Sequence, residues 1–160
     1  MIITPTEIST LARPCYADVA VAEQAIKEVE MFDIKANIGD ELYIDITRNP
    51  ANYTVLLNGG TYIDRCGKTH LFGGLKKTAA YYALGRIIRT GSNTQTRFGF
   101  VKKSDDYSEQ TSVKERTDAA NEVFSIADQL LSECLQYIEQ FHCDRKEIVN
   151  NRTTFRIIGK

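Results

Sequence analysis

The sequence has no tryptophan, and proline, histidine and cysteine are scarce, with 3, 2 and 4 residues among 160. With 42% apolar and 26% charged residues, the composition excludes a disordered chain and predicts a core that fits one domain. The cysteines include no CxxC pair, which favours a reducing compartment over a disulfide scaffold. No apolar run approaches the roughly 18 residues that cross a bilayer, and residues 1–14 lack the basic and apolar blocks of a signal peptide. We therefore expect a soluble protein that is not secreted.

The formal net charge is only −1, but the charges are separated along the chain. Residues 1–47 carry 3 basic and 9 acidic side chains, residues 48–103 carry 10 and 1, and residues 104–147 carry 4 and 11. The last thirteen residues add three basic groups. Such blocks can neutralise one another within one fold or between neighbouring copies, and the sequence leaves both possibilities open.

Apolar periodicity predicts three helices in the first 90 residues. The first spans 18–32 with Asp18 as its N-cap, and residues 33–39 break the pattern. The second is short and spans about 40–47, with Asp40 as its cap. The third spans 74–89 and is apolar around more than half of its circumference. A helix of that kind is central in the fold or covered by a partner.

The longest predicted helix spans about 113–141 and follows a capping box, Ser112-Val113-Lys114-Glu115. Residues 95–103 alternate between two faces, which predicts a β-strand or one arm of a hairpin. Residues 48–73 contain clustered glycines and predict mostly loop, with one short helix near 53–57.

The predicted fold class is mostly α, with a single domain over residues 1–160. We expect a bundle of about four helices over about 16–142, with the strand or hairpin inserted before the last helix. Residues 1–14 and 143–160 are expected to be extended terminal arms, the second of which contains a β-prone segment at 153–158.

Three partial motifs could indicate chemistry. Gly67-Lys68-Thr69 ends like a phosphate-binding loop, but the glycine required five residues earlier is Tyr62. The candidate zinc ligands lack the paired spacings of known sites. They are Cys66, His70, Cys134, His142 and Cys143. Cys–His catalysis needs proximity only in the fold and stays open, yet no local signature marks a nucleophile. We predict no enzymatic activity, no metal and no other cofactor.

The aromatic and basic residues of the middle segment allow two interpretations. Tyr81-Tyr82 and the run from Arg97 to Lys103 could stack on bases and neutralise phosphates of a single strand. The alternation of the second run also suits a strand whose phenylalanines pack on the long helix while its charges stay in water. We favour the second interpretation.

What remains unusual is a broadly apolar helix, an aromatic strand, β-prone ends and charge blocks of opposite sign. In a ring, each copy presents two different surfaces, so a basic and an acidic face on one chain can meet between neighbours. Extended arms can add to the sheet edge of a neighbour. These features predict an assembling subunit.

Four stretches within about residues 18–140 share their order with one known family. They are AIKEVE, DIK and IGDELY within 25–43, LLNGGTY at 56–62, FGGLKKTAAYYA at 72–83 and TRFGFVKKSDDYS at 96–108. The order resembles that of the helical head-to-tail connector, or adaptor, proteins of tailed bacteriophages. The resemblance is greatest to the version in phages and prophages of Bacteroides-like hosts, including crAss-like phages.

The resemblance implies a non-enzymatic virion protein, assembled in the host cytoplasm, that joins the portal protein after DNA packaging. Such proteins form a homo-oligomeric ring, typically of twelve copies, that continues the DNA channel and offers a docking surface to the next neck or tail protein. DNA passes through without specific binding, and no membrane is involved. The near-zero net charge fits such a passage, because each neutralised phosphate would strengthen the grip on DNA.

With this function, the long acidic helix is predicted to border the channel or face solvent, while basic residues meet acidic surfaces of neighbours or of the portal. The candidate contact residues are Arg86, Arg89, Arg97, Phe98, Phe100, Lys102, Lys103, Tyr107, Phe155 and Ile157. Two alternatives remain: a nucleic-acid-binding module that uses the basic segment 48–103, and a small Cys/His metalloprotein or hydrolase.

Overall fold

A computed structural model of the chain describes residues 1–90, 93–96, 99–102 and 112–141. The helices are α1 (Pro5–Leu11), α2 (Val19–Val29), α3 (Lys35–Ile38), α4 (Asp40–Arg48), α5 (Thr54–Asn58), α6 (Leu75–Thr90) and α7 (Val113–Phe141). A π-helical turn (Glu30–Ile34) joins α2 to α3, and a 3-10 turn (Pro50–Tyr53) precedes α5. Two antiparallel hairpins pair β1 (Gly60–Ile63) with β2 (Thr69–Phe72), and β3 (Asn93–Thr96) with β4 (Gly99–Lys102). The prediction of a mostly α fold with an inserted hairpin is confirmed.

Helix α6 is the centre of the bundle, as its broad apolar surface predicted. It packs against α1, α2, α5 and α7. It lies close to α7 at Gly85, where a Cβ atom would lie 2.7 Å from the Phe124 ring. Nine of its sixteen residues are buried. They are Leu75, Thr78, Ala79, Ala80, Tyr82, Ala83, Leu84, Gly85 and Ile87.

Helix α7 begins where the sequence predicted. At its start, the Ser112 Oγ accepts a hydrogen bond from the Glu115 N–H at 3.1 Å, and the Glu115 carboxylate accepts one from the Ser112 N–H at 2.9 Å. This reciprocal pair is the predicted capping box. Within the described chain, no helix is both long and apolar enough to cross a lipid bilayer.

The predicted break at residues 33–39 is wrong, because the helical path of α2 continues to Ile38. Asp18 caps α2 as predicted, accepting from the Ala20 N–H at 2.8 Å. The π turn accommodates an extra residue, and Ile34 and Ile38 thereby reach the core. The next helix starts after Gly39, whose φ of 86° suits glycine, so Asp40 is its first residue and not its cap.

A buried carboxylate fixes the π turn. Glu30 is only 6% exposed and accepts hydrogen bonds from the Ile2 N–H and from the Tyr43 hydroxyl, the latter at 2.9 Å. The chain near its start, the π turn and α4 are therefore joined at one side chain. Burial and the contact with this carboxylate raise the pKa of Tyr43 to about 12.

Residues 1–14 do not form the predicted extended arm. They contain α1, and Ile3 and Ile8 are 1% and 0% exposed within the core. Glu7 receives a hydrogen bond from the Lys76 amine at 3.2 Å, which ties α1 to α6. The prediction failed because α1 has only seven residues, too few to display a helical period. The other predicted arm, 143–160, lies outside the described residues.

Residues 48–73 are more ordered than the predicted loop. The expected short helix is present as α5, but β1 and β2 form a hairpin that the glycine-rich composition concealed. The strand predicted at 95–103 is divided between β3 and β4, which pair in the register Asn93 with Lys102 and Thr96 with Gly99. The inserted hairpin is therefore confirmed, whereas the prediction of 95–103 as one strand or one arm is wrong, because this segment contains residues of both arms.

Two glycines bring together the chain entering and leaving the first hairpin. Gly59 and Gly74 both have a φ of +80°. A Cβ on Gly74 would lie 2.6 Å from the Asn58 carbonyl carbon, and one on Gly59 would lie 2.6 Å from the Gly73 carbonyl carbon. Both contacts involve backbone atoms, which cannot swing aside as a flexible side chain can.

We expect Gly74→Ala to lower the free energy of unfolding by more than about 2 kcal/mol, because it adds a backbone clash to an unfavourable φ. Gly67→Ala is the matched control, since Gly67 has a φ of +79° but nothing within 4 Å of its Cβ position. That variant should lose only about 1 kcal/mol. Urea denaturation measures both, and equal losses would contradict the close contact.

We expect Tyr43→Phe to lose about 1–2 kcal/mol at neutral pH, because the buried Glu30 carboxylate loses a hydrogen-bond donor. In the wild type, the pKa of Tyr43 is higher folded, at about 12, than in an unfolded chain, at about 10. Its contribution is therefore complete below pH 10 and is lost as the pH rises toward 12. Unfolding free energies measured from pH 8 to 12 should show the wild-type and variant curves converging. A constant difference across this range would contradict the linkage.

Candidate assembly surfaces

The first hairpin has an inner and an outer face, which its register sets. Gly60 pairs with Phe72 and Tyr62 with His70, whereas Thr61 pairs with Leu71 and Ile63 with Thr69. Directly paired residues share a face, and successive pairs alternate between faces. The hairpin therefore has Tyr62, His70 and Phe72 on one face and Thr61, Ile63, Thr69 and Leu71 on the other.

The inner face packs on the C-terminal half of α7 through aromatic rings. Phe72 stacks on Tyr137 with ring centroids 4.6 Å apart, and the Tyr62 ring meets Tyr137 edge to face at 5.3 Å. Tyr62 also stacks on His70 at 5.2 Å. At the end of β2, the Gly73 N–H donates to the Glu133 carboxylate at 3.3 Å. These contacts fix the orientation of the hairpin on the bundle.

The outer face leaves two large apolar side chains in water. Ile63 is 65% exposed and Leu71 is 77% exposed, and both threonines beside them are exposed as well. Packing of the inner face on α7 stabilises the strand pair, and the outer face stays uncovered. We call the four residues Thr61, Ile63, Thr69 and Leu71 the outer hairpin face.

The tip of the hairpin is basic and held in shape by Asp64. One carboxylate oxygen of Asp64 accepts from the N–H groups of Cys66 and Lys68, each at 2.8 Å. The other lies 2.9 Å from the His70 Nε2. The hydrogen bonds from His70 and from the Lys68 backbone lower the pKa of Asp64. The only acidic group of the tip is thus engaged, while the side chains of Arg65 and Lys68 are exposed.

The partial phosphate-binding motif Gly67-Lys68-Thr69 lies at this tip. These residues lie in the turn and the first position of β2, and a strand follows them. A phosphate-binding loop requires a helix at that point, so the partial motif has a different structural role here.

Beyond its first turn, the charged residues of helix α7 are all acidic, and one of them, Glu122, pairs with the exposed Arg13 guanidinium at 2.8 Å. From residue 117 to 141 the helix contains five acidic residues and no lysine or arginine. Six exposed positions follow the helical period along one side of the helix. They are Asp118, Glu122, Ser125, Gln129, Ser132 and Gln136, and we call them the outer α7 stripe.

Helix α2 and its π turn form a second surface with uncovered apolar groups. Residues 21, 24, 28, 31 and 32 recur at helical spacing on the side away from the core. Of these, Met31 is 52% exposed and Phe32 is 67% exposed. We call Val21, Gln24, Glu28, Met31 and Phe32 the α2 stripe. Apart from the buried Glu30, residues 18–34 contain four carboxylates and one lysine, so this surface is acidic.

The candidate contact residue Arg86 has partners within its own chain. Its guanidinium lies 2.7 Å from the Asp33 carboxylate and 3.4 Å from that of Glu28. With the Lys76–Glu7 pair, this shows that part of the basic block is neutralised inside the fold. Two carboxylates share one guanidinium, so this end of α2 remains negative. Arg89 is exposed near the end of α6.

The remaining candidate contacts divide into two groups. Phe100 and Lys102 belong to β4, opposite Gln95 and Asn93. The others lie outside the described residues. They are Arg97, Phe98, Lys103, Tyr107, Phe155 and Ile157.

In the part of the chain that the structure describes, the candidate zinc ligands and nucleophiles lie in two places: Cys66 and His70 in the first hairpin, and Cys134 in α7. Cys66 is exposed at the hairpin tip, whereas Cys134 is buried in α7 with its sulfur 3.6 Å from the Thr78 hydroxyl. Burial raises the pKa of Cys134 to about 11, which disfavours the thiolate. Among these residues no cluster of three or more potential metal ligands is found. His142 and Cys143 fall beyond the described range.

Sequence analysis missed the outer hairpin face. The signal was present in two four-residue runs, Gly60–Ile63 and Thr69–Phe72, which alternate around a turn containing Asp64 and Gly67. The α2 stripe was missed because Phe32 was assigned to the apolar side of the first helix, whereas the π turn rotates it outward.

We expect Asp64→Asn to loosen the hairpin tip, because the carboxylate that accepts three hydrogen bonds loses its charge. The pKa of Asp64 is lower in the folded state, so its contribution is present above the unfolded value and is lost as the pH falls through the folded one. At neutral pH, hydrogen exchange at the Cys66 and Lys68 amides should accelerate relative to Lys68→Gln, which leaves the carboxylate intact. Unchanged exchange would contradict this role of Asp64. In strong acid, where Asp64 is protonated, the wild type and Asp64→Asn should become equally stable.

Comparison with known proteins gives one match. Residues 34–142 match the model of a family that is described as a family of unknown function (DUF6712). No curated protein and no solved structure matches the chain. The match covers more than half of the sequence, from the π turn through α7 and including the first hairpin. The chain therefore belongs to the family of unknown function DUF6712.

Proposed function

We propose that this protein is a structural subunit of the head-to-tail connector of a tailed bacteriophage. In this proposal, copies of the chain form a ring, of twelve in the typical case, between the portal and the next neck or tail protein. The ring continues the channel through which DNA leaves the capsid. The protein is then a virion component, its role is mechanical, and it needs neither a catalytic site nor a cofactor.

The outer α7 stripe is the observation on which the proposal depends. A ring around DNA must let a polyanion slide, so its inner wall should not hold phosphates. The 25 residues from 117 to 141 have five carboxylates and no cationic side chain. Serines and glutamines occupy the middle of the exposed stripe and can hydrogen-bond to water. A helix of 29 residues is about 43 Å long, which is long enough to form the wall of such a channel.

Two further observations support a subunit that assembles. The outer hairpin face and the α2 stripe each leave two or more large apolar side chains uncovered. The order of sequence stretches that resembles the connector family extends over residues 18–140, which includes both surfaces.

The alternative of a nucleic-acid-binding module is less well supported. Two of the ten basic residues of segment 48–103, Lys76 and Arg86, are engaged by Glu7, Glu28 and Asp33. Those groups are less able to neutralise phosphates, because each phosphate contact would first require breaking an ion pair.

We expect a phage that encodes this chain to produce DNA-filled heads without tails when the chain is removed by a nonsense mutation. Electron microscopy counts the particles, and peptide mass spectrometry of wild-type virions should detect the polypeptide at a constant ratio to the portal. Tailed, infectious particles without the chain would contradict the proposal. A defect in replication with few filled heads would favour the nucleic-acid-binding alternative.

Complementation with variants of α7 tests the outer α7 stripe separately from the contacts between copies. A variant with Ser125→Lys, Gln129→Lys and Ser132→Lys should restore tails but slow genome ejection, because three new cations per copy face the DNA. The matched control carries Ser125→Gln, Gln129→Asn and Ser132→Asn and should behave as the wild type does.

A further inference from the structure

We propose that the first hairpin of one copy docks on the α2 stripe of a second copy, through the outer hairpin face and the basic tip. This inference rests on the proposed assembly and names the two surfaces that form it. Both surfaces contain apolar side chains that the bundle leaves in water: Ile63 and Leu71 on the hairpin, and Met31 and Phe32 on α2. Burying large apolar groups of this kind is the main source of free energy in association.

The charges of the two surfaces favour a contact between the hairpin of one copy and the α2 stripe of another over a contact between two hairpins. The hairpin tip exposes Arg65 and Lys68 while its single carboxylate, Asp64, is engaged. The α2 stripe contains Glu28, and Asp33 follows Phe32 at its end; these two carboxylates share the single guanidinium of Arg86, which leaves one negative charge in excess. A second hairpin on the same surface would bring four cations together, whereas the α2 stripe offers a negative partner. Unlike charges at a contact favour the pairing of the two different surfaces.

The position of the surfaces allows each copy to use both. The hairpin packs against α7 through Phe72 and Tyr137, whereas α2 packs against α6. Because they belong to different elements, one copy can dock its hairpin on a neighbour while its own α2 stripe receives another hairpin. Contacts between two different patches of one chain propagate from copy to copy and close into a ring if the rotation permits.

The test uses sedimentation velocity on the full chain and two double variants. The hairpin variant carries Ile63→Thr and Leu71→Thr, which keep strand propensity, and the α2 variant carries Met31→Gln and Phe32→Gln, which keep helix propensity. We expect the wild type to self-associate at micromolar concentrations and each variant to weaken this about 100-fold or more, as expected for losing two buried apolar groups. Val55→Asp changes an exposed valine outside both surfaces and should associate as the wild type does.

Mixing the two double variants identifies the geometry. The hairpin variant retains an intact α2 stripe, and the α2 variant retains an intact hairpin, so the mixture should form a dimer with one intact contact and nothing larger. No association on mixing, or a wild type that stays monomeric at all concentrations up to about 1 mM, would overturn the proposal.

Thermal melting checks that both double variants fold. A third variant, Arg65→Glu with Lys68→Glu, changes two exposed positions of the turn and should weaken association by itself. If virions contain the chain but these variants assemble into them normally, the interface fails while the connector function stands.

Discussion

The fold depends on the burial of α6. Its apolar residues cover more than one side of the helix, so a single neighbour could not remove them from water. Four other helices pack against it. Helix α7 comes close at Gly85, where the Phe124 ring occupies the space that a side chain would need. Each surrounding helix has one face toward α6 and one face toward the outside. The outer faces are therefore determined by what the core requires, and their composition shows what the molecule can contact.

The same constraint places the candidate assembly surfaces. Helix α5 packs on α6, and only two residues separate the end of β2 from the start of α6. The chain must therefore turn sharply on both sides of the first hairpin. Gly59 and Gly74 allow this, and the aromatic contact with Tyr137 then holds the hairpin on α7. The result is a hairpin with its apolar outer face in water. On the other side of α6, the π turn rotates Phe32 outward while Ile34 and Ile38 remain in the core. Both exposed surfaces are consequences of how the chain completes the core.

Long, strongly periodic segments were predictable from the sequence, and short ones were not. The capping box predicts where α7 begins, and the breadth of the apolar surface of α6 predicts that this helix is central in the fold or covered by a partner. Helix α1 has two turns and β1 and β2 have four residues each, so their periodicity is too brief to separate from chance. The π turn breaks the 3.6-residue period itself, which made residues 33–39 appear to be a loop. Ion pairs such as Arg86 with Asp33 join residues 53 positions apart, and no local pattern in the sequence indicates them.

The central claim is that the surfaces left after the bundle closes are covered by other copies around a DNA channel. Cryo-electron microscopy of the portal vertex in virions of a phage that encodes this chain tests it most directly. We expect a ring of this fold beside the portal, with the outer α7 stripe toward the axis and each hairpin against the next copy. A vertex without this polypeptide, or a ring in which α7 is buried away from the axis, would contradict it.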